Sequence, residues 1–386
     1  MTGTMKTGKV PFNKPFIVGN ELSYVAQAVA QAHLSGDGPF AKRCERWLEE
    51  RLGCVRAFLT HSCTAALEMS AILCGIVPGD EVILPSFTFV STANAFVLRG
   101  GVPVFVDIRP DTLSINEQLV EEAITPKTRA IIPMHYAGLC CEMSQVLDVA
   151  EEYGLIVVED AAHAMFSKYQ GKFLGTLGHL GCLSFHETKT IISGEGGALL
   201  VNDERLVARS EIIREKGTDR SRFYRGEVDK YTWVDLGSSY LPGELIAAFL
   251  YAQLEQSEKI LAARGRIFAS YYRLLRPLQD QGQIRLPFLQ TEESYYGHLF
   301  YIITRSVSER DRLIRFLKGK NISAVFHYVP LHSSPAGVKY GRPQGDLRFT
   351  DDISSRLLRL PLYYEMTHQH VERVVEQIFH FYQKHG

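Results

Sequence analysis

Residues 155–163 read Leu-Ile-Val-Val-Glu-Asp-Ala-Ala-His, an unbroken apolar run that delivers two acids, Glu159 and Asp160, at its end. Apolar residues in succession, without polar alternation, are what a strand buried on both faces requires, and such strands belong to parallel sheets. Outward from this stretch the same texture recurs at 55–59, 81–84, 102–106, 129–133, 182–185 and 198–201. Between two of these runs, Met143, Val146, Leu147 and Ala150 fall at i, i+3, i+4 and i+7, and Gly154 closes the helix they predict. Strands alternating with helices predict βαβ units: an α/β fold with a large, mostly parallel sheet of seven strands.

The texture turns helical from about residue 242 to 275, with Pro277 and Gly282 expected to break it. A smaller α/β unit is expected after that: a strand at 298–304, a helix at 309–318, a strand at 324–328, and a last helix carrying Val371, Val374, Val375 and Ile378. The resulting division is a large domain over 15–255, a small C-terminal domain over 256–386, and an extended arm in residues 1–14.

Composition limits the function classes. The chain has 386 residues, 46% of them hydrophobic and 22% charged, which is enough apolar surface to build a core and excludes disorder. Lys+Arg 42 against Asp+Glu 43 leaves a net charge of -1, which lacks the basic footprint of a nucleic-acid binder. No apolar run approaches the length of a membrane span, and the opening MTGTMKTGKVPFN has no apolar leader core, so neither membrane nor secretion is expected. The seven cysteines lie in the first half, are odd in number and form no CxxC pair; reduced thiols in a cytoplasmic protein are expected rather than disulfides or zinc. Thirteen histidines include no HExxH or similar ligand pair, so no metal site is expected.

Parallel sheets bind ligands at the carboxyl ends of their strands. Asp160 stands at one such end, and by itself it reads equally well as a helix cap. The next strand ends in Ser184-Phe185-His186-Glu187-Thr188-Lys189, followed by GEGG at 194–197. Alone, Lys189 would read as solvated surface. Together the two residues suit pyridoxal 5'-phosphate (PLP), which takes a lysine as Schiff-base partner and a carboxylate at its pyridinium nitrogen. A phosphate cup is offered by THSCTAAL at 60–67, where a strand gives way to a helix: N–H groups at Cys63 and Thr64, with two hydroxyls, lie at the positive helix end. PSFTF at 85–89, after another strand, supplies an aromatic able to stack on a pyridine ring. Rival signatures fail: no GxGxxG turn follows the first strand, and neither GxxxxGK[ST] nor GxSxG occurs.

In this order PSFTFVSTANA, VVEDAAHA, SFHETK and GEGG resemble the DegT-type sugar-nucleotide aminotransferases, and the resemblance extends from GDGPF at 36–40 to LPL at 360–362. It implies the aspartate-aminotransferase-like fold (PLP fold type I). It further implies that Lys189 bonds the cofactor and then acts as acid and base, that Asp160 meets the ring nitrogen, and that His163 lies near the ring hydroxyl. Cys63, Thr64 and Ser184 would hold the phosphate, and Phe89 would stack on the ring. Most members carry Gly where Cys63 stands, which assigns the work there to the backbone N–H. Most also carry an Asn within the segment written here as GSSYL, 237–241, reaching the phosphate of the partner subunit; Ser239 is the shorter counterpart. One branch replaces the lysine by His and becomes a dehydratase, which Lys189 speaks against.

The resemblance also implies a homodimer with shared sites, L-glutamate as amino donor and a nucleotide-linked keto-sugar as acceptor. His186, Tyr328 and His332 are candidates for substrate contact, with packing or capping as the equal alternative, and Arg214, Lys216, Arg220 and Arg222 for anion contact, which a solvated surface explains equally. Amination at C3 or C4, and the face attacked, stay open in the sequence. A non-catalytic PLP-fold regulator would tolerate loss of Lys189 or Asp160, and both are present.

Overall fold

The computed structural model describes residues 8–289 and 297–385. The chain divides into two compact units. The larger takes Ile17–Ser257 and Pro330–Arg348; the smaller takes Glu258–Val329 and Phe349–Gly386 with the N-terminal stretch up to Phe16. Strands are numbered along the chain: β1 Arg56–Thr60, β2 Glu81–Pro85, β3 Val102–Val106, β4 Thr128–Ile131, β5 Ile156–Asp160, β6 Lys168–Tyr169, β7 Lys172–Phe173, β8 Leu180–Ser184, β9 Gly197–Val201, β10 Ile284–Arg285, β11 Phe300–Thr304, β12 Arg342–Pro343 and β13 Leu357–Leu360.

In the larger unit, eight strands run in the order β1-β9-β8-β5-β4-β2-β3-β12. Only β9 runs against its neighbours, pairing antiparallel with β1 and β8; the other pairings are parallel. The continuous runs are buried throughout in β2 and β9, as two covered faces demand. Met143, Val146 and Ala150 turn the helix Met143–Tyr153 inward, and Gly154 ends it at φ 64, a left-handed conformation that favours glycine. Helix Cys63–Leu73 is buried nearly all along one side, with Leu67, Met69 and Ile72 joining Phe58, Phe96 and Leu199 in one core.

The sheet thus has one strand more than the seven expected. Residues 330–348 return to the larger unit, where β12 pairs with β3, so a single cut at 255/256 does not describe the chain. An Arg-Pro strand carries no apolar run to read. It is held by polar ties: Arg342 pairs with Glu81 at 3.0 Å and the Gln344 N–H donates to the Phe105 carbonyl at 2.8 Å.

The smaller unit is a three-stranded antiparallel sheet, β10-β11-β13, covered by the helices Ser257–Asp280, Val307–Gly319 and His368–His385. Phe300 and Ile302 of β11 face Leu360 and Leu358 of β13 across the ladder and pack with Tyr271, Leu313 and Val374. Two expectations are corrected here. Residues 324–328 form no strand; Val325 makes one isolated bridge to Arg359, and the third strand is β13. Pro277 does not break its helix, which continues to Asp280, because Leu275 and Leu278 on either side are buried in the core and one missing N–H costs a single ladder bond. Of the expected N-terminal arm, residues 1–7 lie outside the described residues, while Val10 bridges in parallel to Ile322 within the smaller unit. Among the described residues, no helix is long and apolar enough to cross a membrane.

Candidate active site

The ends of β1 and β8 and the start of β9 meet at one sheet edge: Thr60 and Ser184 both lie level with Gly197. Just beyond β1, Ser62 adopts an extended conformation (φ -163, ψ 162) and its hydroxyl accepts from the Ala65 N–H at 3.1 Å, starting helix Cys63–Leu73. The first-turn N–H groups of a helix have no intrahelical acceptor, so those of Cys63 and Thr64 stand at its positive end. Gly197 explains the last glycine of GEGG: a Cβ there would collide with the backbone of Ser62 and with Cys63 N. Thr64 joins a second helix start, its hydroxyl 2.8 Å from that of Ser91 in helix Val90–Val97.

The two acids of the opening stretch alternate in direction, as successive strand residues must. Glu159, fully buried, accepts N–H bonds from Gly175 (2.8 Å), Leu177 (2.7 Å) and Gly178 (2.6 Å) and lies 2.8 Å from His135 Nε2. It fastens a loop. Asp160 instead receives Thr92 Oγ1 on Oδ2 at 2.6 Å and the Ala162 N–H on Oδ1 at 3.1 Å, and Thr88 Oγ1 lies 2.8 Å from Thr92 Oγ1.

Lys189 is half-buried on a tight loop between β8 and β9. Main-chain bonds close that loop: Lys189 N–H to His186 O at 2.8 Å, Glu187 N–H to Gly194 O at 2.8 Å and Ser193 N–H to Phe185 O at 2.7 Å. Burial pushes the Cys63 thiol well above its ordinary range; the charges of Asp160 and Cys182 act in the same sense and the Lys189 amine opposes them. Strand register places Asp160, level with Cys182 on β8, and Cys63, just past the end of β1, on the same edge of the sheet as the loop after β8 that carries Lys189. Beside them Phe87, Tyr136 and His163 form a buried aromatic chain, with ring separations of 4.9 Å and 5.7 Å.

A profile of the DegT/DnrJ/EryC1/StrS aminotransferase family matches residues 15–379. The chain belongs to this family. It is 34% identical to an uncharacterized protein of Methanocaldococcus jannaschii, over 88% of this chain and 89% of that one. Among solved structures, the aminotransferase TlmJ from Streptoalloteichus hindustanus superposes with a TM-score of 0.89 at 28% identity, covering 98% of this chain and 100% of that one. The PLP form of Spr1654 from Streptococcus pneumoniae gives 0.89 at 25% identity, covering 98% and 99%. The protein is a PLP-dependent aminotransferase of fold type I.

The remaining expected residues of this aminotransferase are placed as follows. Ser184 is half-buried at the end of β8, and the His186 N–H approaches its hydroxyl at 3.5 Å. The His186 ring lies 2.8 Å from Thr188 Oγ1 and 3.7 Å from Glu195. Phe89 is 53% exposed at the cap of helix Val90–Val97. His332, on the returning segment, lies 2.8 Å from Ser86 Oγ just past β2. Tyr328 belongs to the smaller unit, stacked on His327 at 3.8 Å. Ser239 is exposed on a stretch that bridges to Glu215. Arg214 is buried and engaged by Glu45 and Asp37. Lys216 and Arg222 pair with Glu215 and Glu227, and Arg220 with Glu215 and Tyr224. Sequence alone assigns no role to Thr88, Thr92, Ser86 or His135; the structure joins the first two, four apart in PSFTFVSTANA, at 2.8 Å.

Proposed function

We propose that this aminotransferase moves the amino group of L-glutamate to C4 of dTDP-4-keto-6-deoxyglucose, giving dTDP-4-amino-4,6-dideoxygalactose and 2-oxoglutarate. The observation that supports its catalytic half is that Asp160, the Lys189 loop and the helix start at Cys63 share one edge of the sheet. The substrate half rests on residues 217–233 (GTDRSRFYRGEVDKYTW), 237–241 (GSSYL) and 326–332 (FHYVPLH), which resemble the transaminase that makes this amino sugar for enterobacterial common antigen.

The residues fit PLP. A carboxylate with both oxygens already anchored suits a ring nitrogen, an amine on a short loop suits the aldehyde, and a helix start packed against Gly197 suits a phosphate. Bound PLP supplies an electrophilic carbon for amines and a protonated ring that draws electron density from the adjoining bond. Asp160 holds the proton on the ring nitrogen. Lys189 would hold the cofactor through its Nζ, and the same Nζ would take up the proton of the donor's α-carbon and give it back. Cys63 and Thr64 N–H groups and the Ser184 hydroxyl would hold the phosphate, His163 would lie near the ring hydroxyl, and Phe89 would pack against the ring. His186, Tyr328 and His332 are assigned to the sugar nucleotide. The enzyme works as a homodimer, Ser239 facing the phosphate of the partner subunit's site.

The test has two stages. Adding L-glutamate to the PLP-loaded enzyme bleaches the visible cofactor band; no change would overturn the catalytic half. Product NMR after incubation with dTDP-4-keto-6-deoxyglucose, glutamate and PLP is expected to place an axial amine at C4. An amine at C3, or the gluco epimer, would keep the aminotransferase and overturn the substrate.

A further inference from the structure

We propose that Thr88 and Thr92 form a two-hydroxyl relay that sets the orientation of the Asp160 carboxylate, making both of them positioning residues for the cofactor ring. The inference rests on the reading of Asp160 as the partner of the ring nitrogen and deepens it.

The geometry has a direction. A carboxylate only accepts hydrogen bonds, so the 2.6 Å contact between Thr92 Oγ1 and Asp160 Oδ2 spends the single proton of the Thr92 hydroxyl. Thr92 Oγ1 can then only accept from Thr88, which stands 2.8 Å away. The chain of donation runs Thr88 to Thr92 to Asp160, and each donor polarises the next. Thr88 is 1% exposed, Thr92 0% and Asp160 3%, so water does not compete for these groups. On the other oxygen, Oδ1, the Ala162 N–H fixes the second corner of the carboxylate. One donor on each oxygen defines the plane of the group and leaves the remaining lone pairs to a ligand.

Local structure explains why hydroxyls stand there. Thr88 lies in the turn before helix Val90–Val97, and Thr92 lies in its first turn with its N–H bonded to the Phe89 carbonyl at 3.1 Å. The bend at Thr88 brings its hydroxyl back to that of Thr92. Thr64, on the phosphate-cup helix, touches the adjacent Ser91 hydroxyl at 2.8 Å. A single helix start therefore contacts both the acid and the cup.

The test uses the full chain with Thr92→Val, which keeps shape and removes the hydroxyl, and with Thr92→Ser, Thr88→Val and Asp160→Asn. Two readouts are taken: the dissociation constant for PLP, and the pH titration of the visible absorbance of the lysine-bound cofactor. A hydrogen bond to a charged group is worth roughly a ten- to hundredfold change in binding, so Thr92→Val is expected to weaken PLP by about that factor and to shift the titration. Thr88→Val, one step removed, should weaken PLP a few-fold. Thr92→Ser should recover wild-type behaviour within about threefold, because it keeps the donor. Thr92→Val matching wild type in both readouts, while Asp160→Asn is impaired, overturns the relay and leaves Asp160 in place. Thr92→Ser as impaired as Thr92→Val, with circular dichroism unchanged, also overturns it. Asp160→Asn matching wild type overturns the reading of Asp160 and the relay with it.

Discussion

Lys189 owes its position to a loop rather than to a regular element: the bonds from Glu187 to Gly194 and from Ser193 to Phe185 draw the two ends of the β8–β9 connection together and leave the amine half-buried between them. Lys189→Ala should lose turnover and lose the visible band of the lysine-bound cofactor while its circular dichroism stays that of the wild type. An active, yellow alanine variant would sink the assignment. Gly197 is the opposite kind of residue, needed for having no side chain. Gly197→Ala drives a methyl into the first peptide of the phosphate-cup helix, which should cost about 1–3 kcal/mol of stability and weaken PLP more than it weakens the fold; a thermal melt beside a PLP titration separates the two. The placement of Lys189, Asp160 and Cys63 at or just past strand ends was legible in the sequence, because continuous apolar runs mark the strands that precede them. Thr92 was not, because a threonine at a helix start reads as a cap, and only the fold shows that its hydroxyl reaches across to another strand. The surroundings of Arg214 are illegible for a related reason: sequence shows a charge but not the Glu45 and Asp37 that enclose it.

Between elements, Arg209 links two parts of the larger unit. Its guanidinium donates to the Ile72 carbonyl, in the last turn of helix Cys63–Leu73, at 3.2 Å and pairs with Asp235 at 2.8 Å; Asp235 in turn accepts the Trp233 indole N–H on its carbonyl at 2.6 Å. The hydrogen bond from Arg209 holds the Asp235 carboxyl below its ordinary 3.8. A depressed carboxylate contributes stability that is fully present above the unfolded value and is lost as pH falls through the folded one. The effect is about 0.5 kcal/mol for a half-exposed pair. Acidification below pH 3.8 should therefore cost the wild type about 0.5 kcal/mol more stability than it costs Asp235→Asn, read as the narrowing gap between their denaturant midpoints as pH falls. An identical pH response in Asp235→Asn would refute the tie. Element types were legible wherever apolar periodicity was strong, as in β2, β5, β9 and the helix Met143–Tyr153. The failures share a cause. β12 is held by polar contacts with no apolar run, and helix Ser257–Asp280 outlasts Pro277 through tertiary burial that no local rule includes.

At the scale of the molecule, the larger unit exposes Tyr231, Val234 and Leu236 together with Trp233, whose exposure reaches 76%, on the stretch leading to Ser239. Contiguous exposed apolar groups of this size mark association surfaces, and a second copy is the occupant proposed above. Trp233→Glu should shift sedimentation from dimer toward monomer and weaken PLP by at least about tenfold, since a charge buried at an interface costs more than 1.4 kcal/mol; a variant that stays dimeric with full affinity would refute this. The return of residues 330–348 to the larger unit also bears on synthesis. A chain emerging from the ribosome can assemble β1 through β9 early, yet β3 keeps an open edge until Arg342 and Pro343 arrive, after most of the smaller unit has been made. The unit that starts folding first is thus among the last to finish, and for that interval its bare strand edge is open to pairing with another nascent chain.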